Sequence, residues 1–188
     1  MTPGLRLVTD LTSRSMPTAE FAEAMSALAS GVVLVTCRVA ARPWGMTVTA
    51  FASASADPPT VLVSLGSETT TARAIRETRS FGVSILAADQ LAVARVGSAP
   101  GRAKFLEPFV EPEGSGGASP AVAGALAHLD CELSESVCVA DHTIVFGRVR
   151  SVRTSRAGAP LVYHGRSFRT LADPVSRPTE GNVQWLSS

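Results

Sequence analysis

Hydroxyl side chains crowd one short stretch, Ser67-Glu68-Thr69-Thr70-Thr71, where a β-branched run gives way to a pattern of helical period. A helix start presents N–H groups with no acceptor inside the helix, together with a partial positive charge. Such a terminus suits a phosphate, and Arg73 and Arg76 follow closely enough to add charge. The same residues could do no more than cap the helix and meet solvent. A second stretch, Trp44-Gly45-Met46-Thr47-Val48-Thr49-Ala50-Phe51-Ala52-Ser53-Ala54-Ser55-Ala56-Asp57-Pro58-Pro59, is rich in small and hydroxyl residues. These would let a flat ring approach the backbone closely, or would simply allow a barrel strand to curve.

Other chemistries find little support. The histidines His128, His142 and His164 and the cysteines Cys37, Cys131 and Cys138 form neither C-x-x-C nor H-x-x-x-H. His128 and Cys131 are three positions apart, which on a strand sends them to opposite faces, so no metal site is expected. An odd cysteine count without close spacing fits a reducing cytoplasm better than a disulfide framework. Gly114-Ser115-Gly116-Gly117-Ala118-Ser119 has a superficial likeness to a dinucleotide loop, but it follows no strand, opens no helix and lacks the third glycine. There is no Walker loop and no G-x-S-x-G elbow.

The elements that must position these stretches can be read from periodicity. Phe21, Met25 and Leu28 fall on one stripe of a helix starting at Pro17 or Thr18 and stopping near Ser30-Gly31, a stripe expected to pack in the core. Strands are expected over 31–39, 45–53, 60–65 and 80–86, with a turn over 40–43. A helix should open over 67–71 and run to Arg79, and a short one should cover 88–96. Residues 97–124 hold four prolines and six glycines and read as a long excursion within one domain. Residues 125–136 and 142–153 alternate and should form an antiparallel hairpin across a turn at 135–141, followed by a short pair over 160–163 and 167–171. Six or seven mostly antiparallel strands with three short helices point to a mainly β fold with flanking α: a closed barrel, not a Rossmann sheet. Residues 1–16 read as a mobile arm and 172–188 as a tail around a single domain over 17–171.

Composition agrees with one folded domain. The chain has 188 residues, 45% hydrophobic and 18% charged, enough for a core without metal or disulfides. Its 17 basic and 16 acidic side chains leave a net charge of +1, which gives no case for nucleic acid or an anionic membrane. No apolar run approaches the roughly 18 residues of a membrane span, and Met1 to Ser15 lacks the apolar centre of a secretory signal. A cytoplasmic protein is expected.

In order and spacing the chain resembles the flavin reductase family with the FMN-binding split-barrel fold, the short reductase components of two-component monooxygenases. The resemblance is carried by Ala29-Ser30-Gly31-Val32-Val33-Leu34-Val35-Thr36, Gly45-Met46-Thr47-Val48-Thr49-Ala50-Phe51-x-Ser53-x-Ser55-x-Asp57-Pro58-Pro59 and Val61-Leu62-Val63-Ser64-Leu65. It continues through Phe81-Gly82-Val83-Ser84-Ile85-Leu86, Lys104-Phe105, Gly124-Ala125-Leu126-Ala127-His128-Leu129-Asp130-Cys131, Ala140-Asp141-His142-Thr143-Ile144 and Pro160-Leu161-Val162-Tyr163. The chain departs from the family where Ala140 replaces the glycine of Gly-Asp-His, where Ala54 replaces a common valine, and at Val96-Gly97-Ser98, where many members carry Phe-Ala/Ser-Gly.

The resemblance implies a homodimer of split barrels, FAD or FMN as the flavin, NADH or NADPH as the donor, and a flavin-dependent monooxygenase receiving reduced flavin. It implies that Gly45, Met46, Thr47, Val48, Thr49 and Ala50 line the flavin ring, and that Ser64, Leu65, Ser67, Thr69, Thr70 and Thr71 hold its ribityl chain and phosphate. Lys104 and Phe105 would lie by the phosphate region, Tyr163 would also contact cofactor, and His142 would position the nicotinamide. Hydride transfer between two cofactors needs no protein nucleophile, in keeping with a chain poor in such signatures. A flavoprotein that keeps its flavin as an oxidase or carrier, and a cofactor-free binding barrel, are the alternatives.

Overall fold

The protein is described from a computed structural model that covers residues 17–112, 117–155 and 158–171. The expected arm over 1–16 and tail over 172–188 lie outside the described residues. The elements run α1 (Thr18–Ser26), β1 (Ser30–Gly31), β2 (Val33–Val39), β3 (Arg42–Val48), β4 (Phe51–Ala56), β5 (Pro59–Gly66) and α2 (Thr70–Thr78). They continue with β6 (Ser80–Ile85), α3 (Leu91–Ser98), β7 (Ala127–Val139), β8 (His142–Thr154), β9 (Leu161–His164) and β10 (Ser167–Thr170). Seven strands form one sheet in the order β3-β2-β6-β7-β8-β5-β4, and β1-β9-β10 form a second. Each pairing between strands is antiparallel.

The two edges of the larger sheet, β3 and β4, are consecutive in the chain and separated only by Thr49 and Ala50. A flat sheet of that order would place them roughly 29 Å apart at about 4.8 Å per strand. Three residue steps reach at most about 11 Å. The sheet must therefore curl, and every one of its strands supplies a side chain to a single interior. Val33, Val35, Cys37, Val48, Val61, Val63, Leu65, Phe81, Val83, Cys131, Leu133 and Val145 are buried there, and Phe51 packs against them. The curl stops short of the closed barrel expected from sequence. No ladder joins β3 to β4, so the hydrogen-bonded wall is open along that seam.

A second core lies outside the first. Val32, Leu34 and Leu86 meet Val93 and Ala94 of α3, Leu106 and Val122 of the 99–126 excursion, and Leu161 of β9. The continuous apolar run at the start of β2 follows from this, because β2 is buried on both faces. Close approach of α3 depends on Gly97. A Cβ there would lie 2.8 Å from the Thr47 backbone nitrogen and 2.6 Å from Leu34, while Thr47 Oγ1 donates to the Ala94 carbonyl at 2.7 Å.

Several boundaries differ from the sequence reading. The run over 31–39 is two strands, broken at Val32 where the chain passes from the small sheet to the large one. The run over 45–53 is also two, with β3 starting at Arg42 after a two-residue turn at Ala40-Ala41. The turn expected over 40–43 is thus confined to its first two residues, and both alanines have positive φ, 49° and 65°, which a hairpin turn normally assigns to Asn or Gly. Strand β7 continues to Val139, and the turn is only Ala140-Asp141. The α1 stripe is not core: Phe21, Met25 and Leu28 are exposed and α1 buries no residue, because no other element among the described residues covers it.

Two substitutions around β8 should move stability in opposite directions. Ala140 has φ of 51°, a left-handed conformation that costs a Cβ-bearing residue more than glycine. Ala140→Gly should raise the unfolding free energy by about 0.5–1 kcal/mol. At Gly147 a Cβ would stand 2.9 Å from Phe81 Cε1 and 3.1 Å from Cys131 Cβ, so Gly147→Ala should lower stability by about 1–3 kcal/mol. Urea unfolding measures both.

Candidate active site

The hydroxyl stretch sits in a corner made by the end of β5, the start of α2 and the β7–β8 turn. Ladder pairing sets Gly66 opposite His142, Leu65 opposite Thr143 and Ser64 opposite Ile144. The Ser67 N–H donates to the Asp141 carbonyl at 2.9 Å. The hydroxyls have separate tasks. Thr69 caps α2: its Oγ1 accepts from the Ala72 N–H at 3.2 Å and donates to the Gly66 carbonyl at 2.8 Å. Thr71 is buried and accepts from the Trp44 indole N–H at 3.2 Å. Ser67 Oγ shares a 2.8 Å hydrogen bond with Thr143 Oγ1. Thr70 opens the helix, is only partly buried, and its hydroxyl has no partner among the described residues. Together with the first-turn N–H groups of α2 it is the open polar face of the corner.

His142 stands beside that face, half exposed. Its Nδ1 lies 2.8 Å from Asp141 Oδ1. The hydrogen bond from His142, a backbone hydrogen bond and the imidazole's charge hold the Asp141 carboxyl below the usual range. A carboxylate only accepts, so Nδ1 carries the proton and Nε2 is left to meet a ligand. Asp141 is a turn residue, so the strand alternation that would have separated it from His142 does not apply.

The strand expected to line a ring comes to the same corner. The Ala50 carbonyl accepts from the Ser64 N–H at 3.0 Å, and Thr49 and Ala50 are exposed. The rest of that strand is committed elsewhere. Val48 and Met46 pack in the first core, Thr47 binds α3, and the Gly45 N–H donates to the Lys104 carbonyl at 3.1 Å. Leu65 is fully buried, which leaves its backbone alone to contribute. Lys104 and Phe105 lie along β3. The Phe105 ring stands edge-on to Trp44 at 5.1 Å with the Arg42 guanidinium 3.7 Å from its centroid. Partial burial lowers the Lys104 pKa. Tyr163 belongs elsewhere: it packs edge-on to Phe168 at 5.4 Å beside the second core.

A cavity of about 400 Å³ lies apart from the corner, between the excursion and the outer face of β2 and β3. Arg38, Pro43, Glu107, Glu111, Ser119 and Arg153 line it, and none is among the site residues expected from sequence. Cys37 and Cys131 are buried, which pushes their thiols up to about 12, so neither is a nucleophile.

Sequence reasoning also missed a buried polar chain. Ser84 Oγ lies 2.9 Å from His128 Nδ1, and His128 Nε2 lies 3.1 Å from Ser119 Oγ. Ser119 Oγ donates to Asp130, whose Oδ1 also accepts the Ser119 N–H at 2.8 Å and whose Oδ2 accepts from Ser151 at 3.0 Å. Its signal was polar residues two apart, His128-x-Asp130, inside an apolar strand. Both faces of β7 are buried there: His128 and Asp130 face this chain, Leu129, Cys131 and Leu133 the first core.

Residues 25–172 match the flavin reductase like domain. The chain belongs to the flavin reductase family. It is 40% identical over 156 residues to an NADH-dependent flavin reductase of a Rhodococcus species, covering 79% of this chain and 84% of that one. It is 37% identical over 154 residues to the reductase component of 4-hydroxyphenylacetate 3-monooxygenase from Thermus thermophilus, covering 82% and 97%. Among solved structures it is similar to the Streptomyces globisporus NADH:FAD oxidoreductase in complex with NAD and FAD fragments, with a TM-score of 0.73, 30% identity and coverage of 82% and 93%. Within this flavin reductase fold the corner is shallow and solvent-facing, and the buried chain lies behind the excursion.

That chain makes stability acid-sensitive. Burial lowers the His128 pKa, and Asp130 only partly restores it. Burial opposes ionisation of Asp130, but hydrogen bonds from Ser119 and Ser151 and the nearby His128 outweigh it, so its carboxyl stays below the ordinary value. Below about pH 6.5 the unfolded chain binds a proton that folded His128 refuses, so stability falls with pH from there. The Asp130 contribution is complete above about pH 3.9 and is lost as the pH falls further. The urea midpoint should therefore drop between pH 7.5 and 5.5, and a midpoint independent of pH over that range would contradict a neutral buried His128.

Proposed function

We propose that this chain is an NADH-dependent flavin reductase that takes FMN or FAD as an exchangeable substrate and supplies reduced flavin to a monooxygenase component. The observation that carries the reading is the open α2 terminus beside His142, on a chain whose relatives are named flavin reductases. The corner suits the flavin phosphate. It offers amide donors at a helix N-terminus, the Thr70 hydroxyl, and no acidic side chain on the helix's first turn.

Each residue then has a limited task. The first-turn amides and Thr70 hold the phosphate, Ser67 and Ser64 flank the ribityl chain, and the backbone at Thr49 and Ala50 borders the ring. His142, oriented through Nδ1 by Asp141, presents Nε2 to the nicotinamide. Bound flavin accepts hydride from the reduced nicotinamide at its own ring, so the protein's contribution is to hold the two together in a reactive orientation. Exposure of the corner supports exchange of flavin over permanent retention. NADPH as an alternative donor is separated from NADH by comparing the two in steady-state oxidation with excess FMN or FAD.

We further propose that the working form is a homodimer. Phe21, Met25 and Leu28 on and beside α1, and Val137 and Val139 at the end of β7, are apolar and exposed on the single chain. Multi-angle light scattering should give about twice the chain mass at micromolar concentration; one chain mass would overturn the homodimer. Thr70→Ala should weaken FMN binding by about 1–2 kcal/mol, whereas Thr71→Ala should act on stability by removing the Trp44 acceptor. His142→Ala should raise the NADH Michaelis constant or slow flavin reduction while FMN affinity stays nearly unchanged. Wild-type rate and NADH dependence in stopped-flow reduction would take His142 out of the site.

A further inference from the structure

The proton positions along the buried chain follow from its two ends. The Val122 N–H donates to Ser84 Oγ at 3.1 Å. At the other end the Asp130 carboxylate only accepts, so Ser119 Oγ must donate to it. Ser119 Oγ therefore accepts from His128 Nε2–H, Nδ1 is bare, and Ser84 Oγ–H donates to it. One direction of donation runs from Val122 through Ser84, His128 and Ser119 to Asp130, and it requires the neutral Nε2–H imidazole.

Three of the chain's attachments hold the returning arm of the excursion, at the Val122 N–H and at the Ser119 backbone and side chain. Outside the chain, Thr36 Oγ1 adds a further tie by donating to the Pro120 carbonyl at 2.6 Å. The returning arm in turn fixes the outgoing arm. Val110 bridges Val122, the Glu111 N–H donates to the Ala121 carbonyl at 2.9 Å, and the Ala123 N–H donates to the Phe109 carbonyl at 2.9 Å. Arg153 of β8 adds a 2.5 Å ion pair to Glu111. The outgoing arm carries Lys104 and Phe105 to the edge of β3.

We propose that His128 is a positioning residue: its neutral Nε2–H form clamps the two described arms of the excursion, 104–112 and 117–123, to the sheet, and its protonation releases the clamp and the Lys104–Phe105 edge with it. An imidazolium donates from both nitrogens. Ser84 Oγ would then have to accept from Nδ1 and from Val122 at once, and its own proton would lose its acceptor. The charged groups facing His128 are Asp130 on β7 and Glu111 on the excursion, which favour the imidazolium, and Arg153 on β8, which opposes it. Ser119 lines the 400 Å³ cavity, which gives the buried chain a route to solvent. The role of Lys104 and Phe105 at the flavin rests on the reading above; the clamp does not.

Hydrogen exchange of the full chain at pH 7.5 and 5.5, corrected for intrinsic rates, tests this. Peptides covering 104–111 and 117–125 should lose protection by about ten-fold at the lower pH, while β5 and the first half of β8 change little. His128→Gln, which cannot titrate, should exchange alike at both values, and Ser84→Ala should open 117–125 already at pH 7.5. Nitrogen-15 shifts of the wild-type imidazole, which need no variant to fold, should report Nε2–H. Equal protection of 117–125 at the two pH values, an acid loss retained in His128→Gln, or an Nδ1–H tautomer would overturn the proposal. FMN titration at the same two pH values separates the two claims. Release of the excursion with weaker FMN binding supports both, whereas release with unchanged binding keeps the clamp and removes Lys104 and Phe105 from the flavin.

Discussion

Two residues, Thr49 and Ala50, join the opposite edges of a seven-stranded sheet, and most of the architecture follows from that short link. An extended sheet cannot satisfy it, so the strands wrap around one apolar interior. The wrap brings the Ala50 carbonyl to the Ser64 N–H, and so carries the end of β3 to the end of β5. There the β7–β8 turn meets the start of α2, and the polar corner is formed by strand ends instead of by a pocket in the core. The seam between β3 and β4 stays without a ladder, so the corner remains open to solvent.

Curling the sheet leaves its outer face to be covered, and that work is divided. Helix α3, β9 and the long excursion cover β2 and β6 and make the second core. An excursion so long has few backbone ladders of its own. Its attachment is polar: Ser84, His128, Asp130 and Thr36 accept or donate to it from within the sheet. Buried polar groups are costly unless every donor and acceptor is matched, and the single direction of donation through His128 is what matches them. The segment that reaches β3 near the corner is thus held through a histidine whose burial disfavours the charged form.

Much of the strand order was legible, because β-branched runs and Pro-Gly breaks mark β2, β5, β6 and the β7–β8 hairpin. The turns were less so. Ala40-Ala41 and Ala140-Asp141 adopt hairpin geometry without the glycine or asparagine that usually announces it. The α1 stripe was legible as a helix and misleading as core, since periodicity reports an apolar face and not what covers it. At the site, the hydroxyl cluster was visible but its division of labour was not. Only spatial neighbours reveal that Thr69 caps, Thr71 meets Trp44, Ser67 meets Thr143 and Thr70 stays open. The structure brings His142 beside the hydroxyl cluster, whereas Tyr163 lies apart from it against Phe168.

The central claim is that the α2 terminus holds the phosphate of an exchangeable flavin. Fluorescence titration of the wild-type protein with FMN and with riboflavin, which differ only by that phosphate, tests it directly. Charge-assisted hydrogen bonds to helix amides and Thr70 predict tighter binding of FMN by about ten-fold or more. Equal affinity for the two flavins would contradict the account and move the phosphate away from this corner.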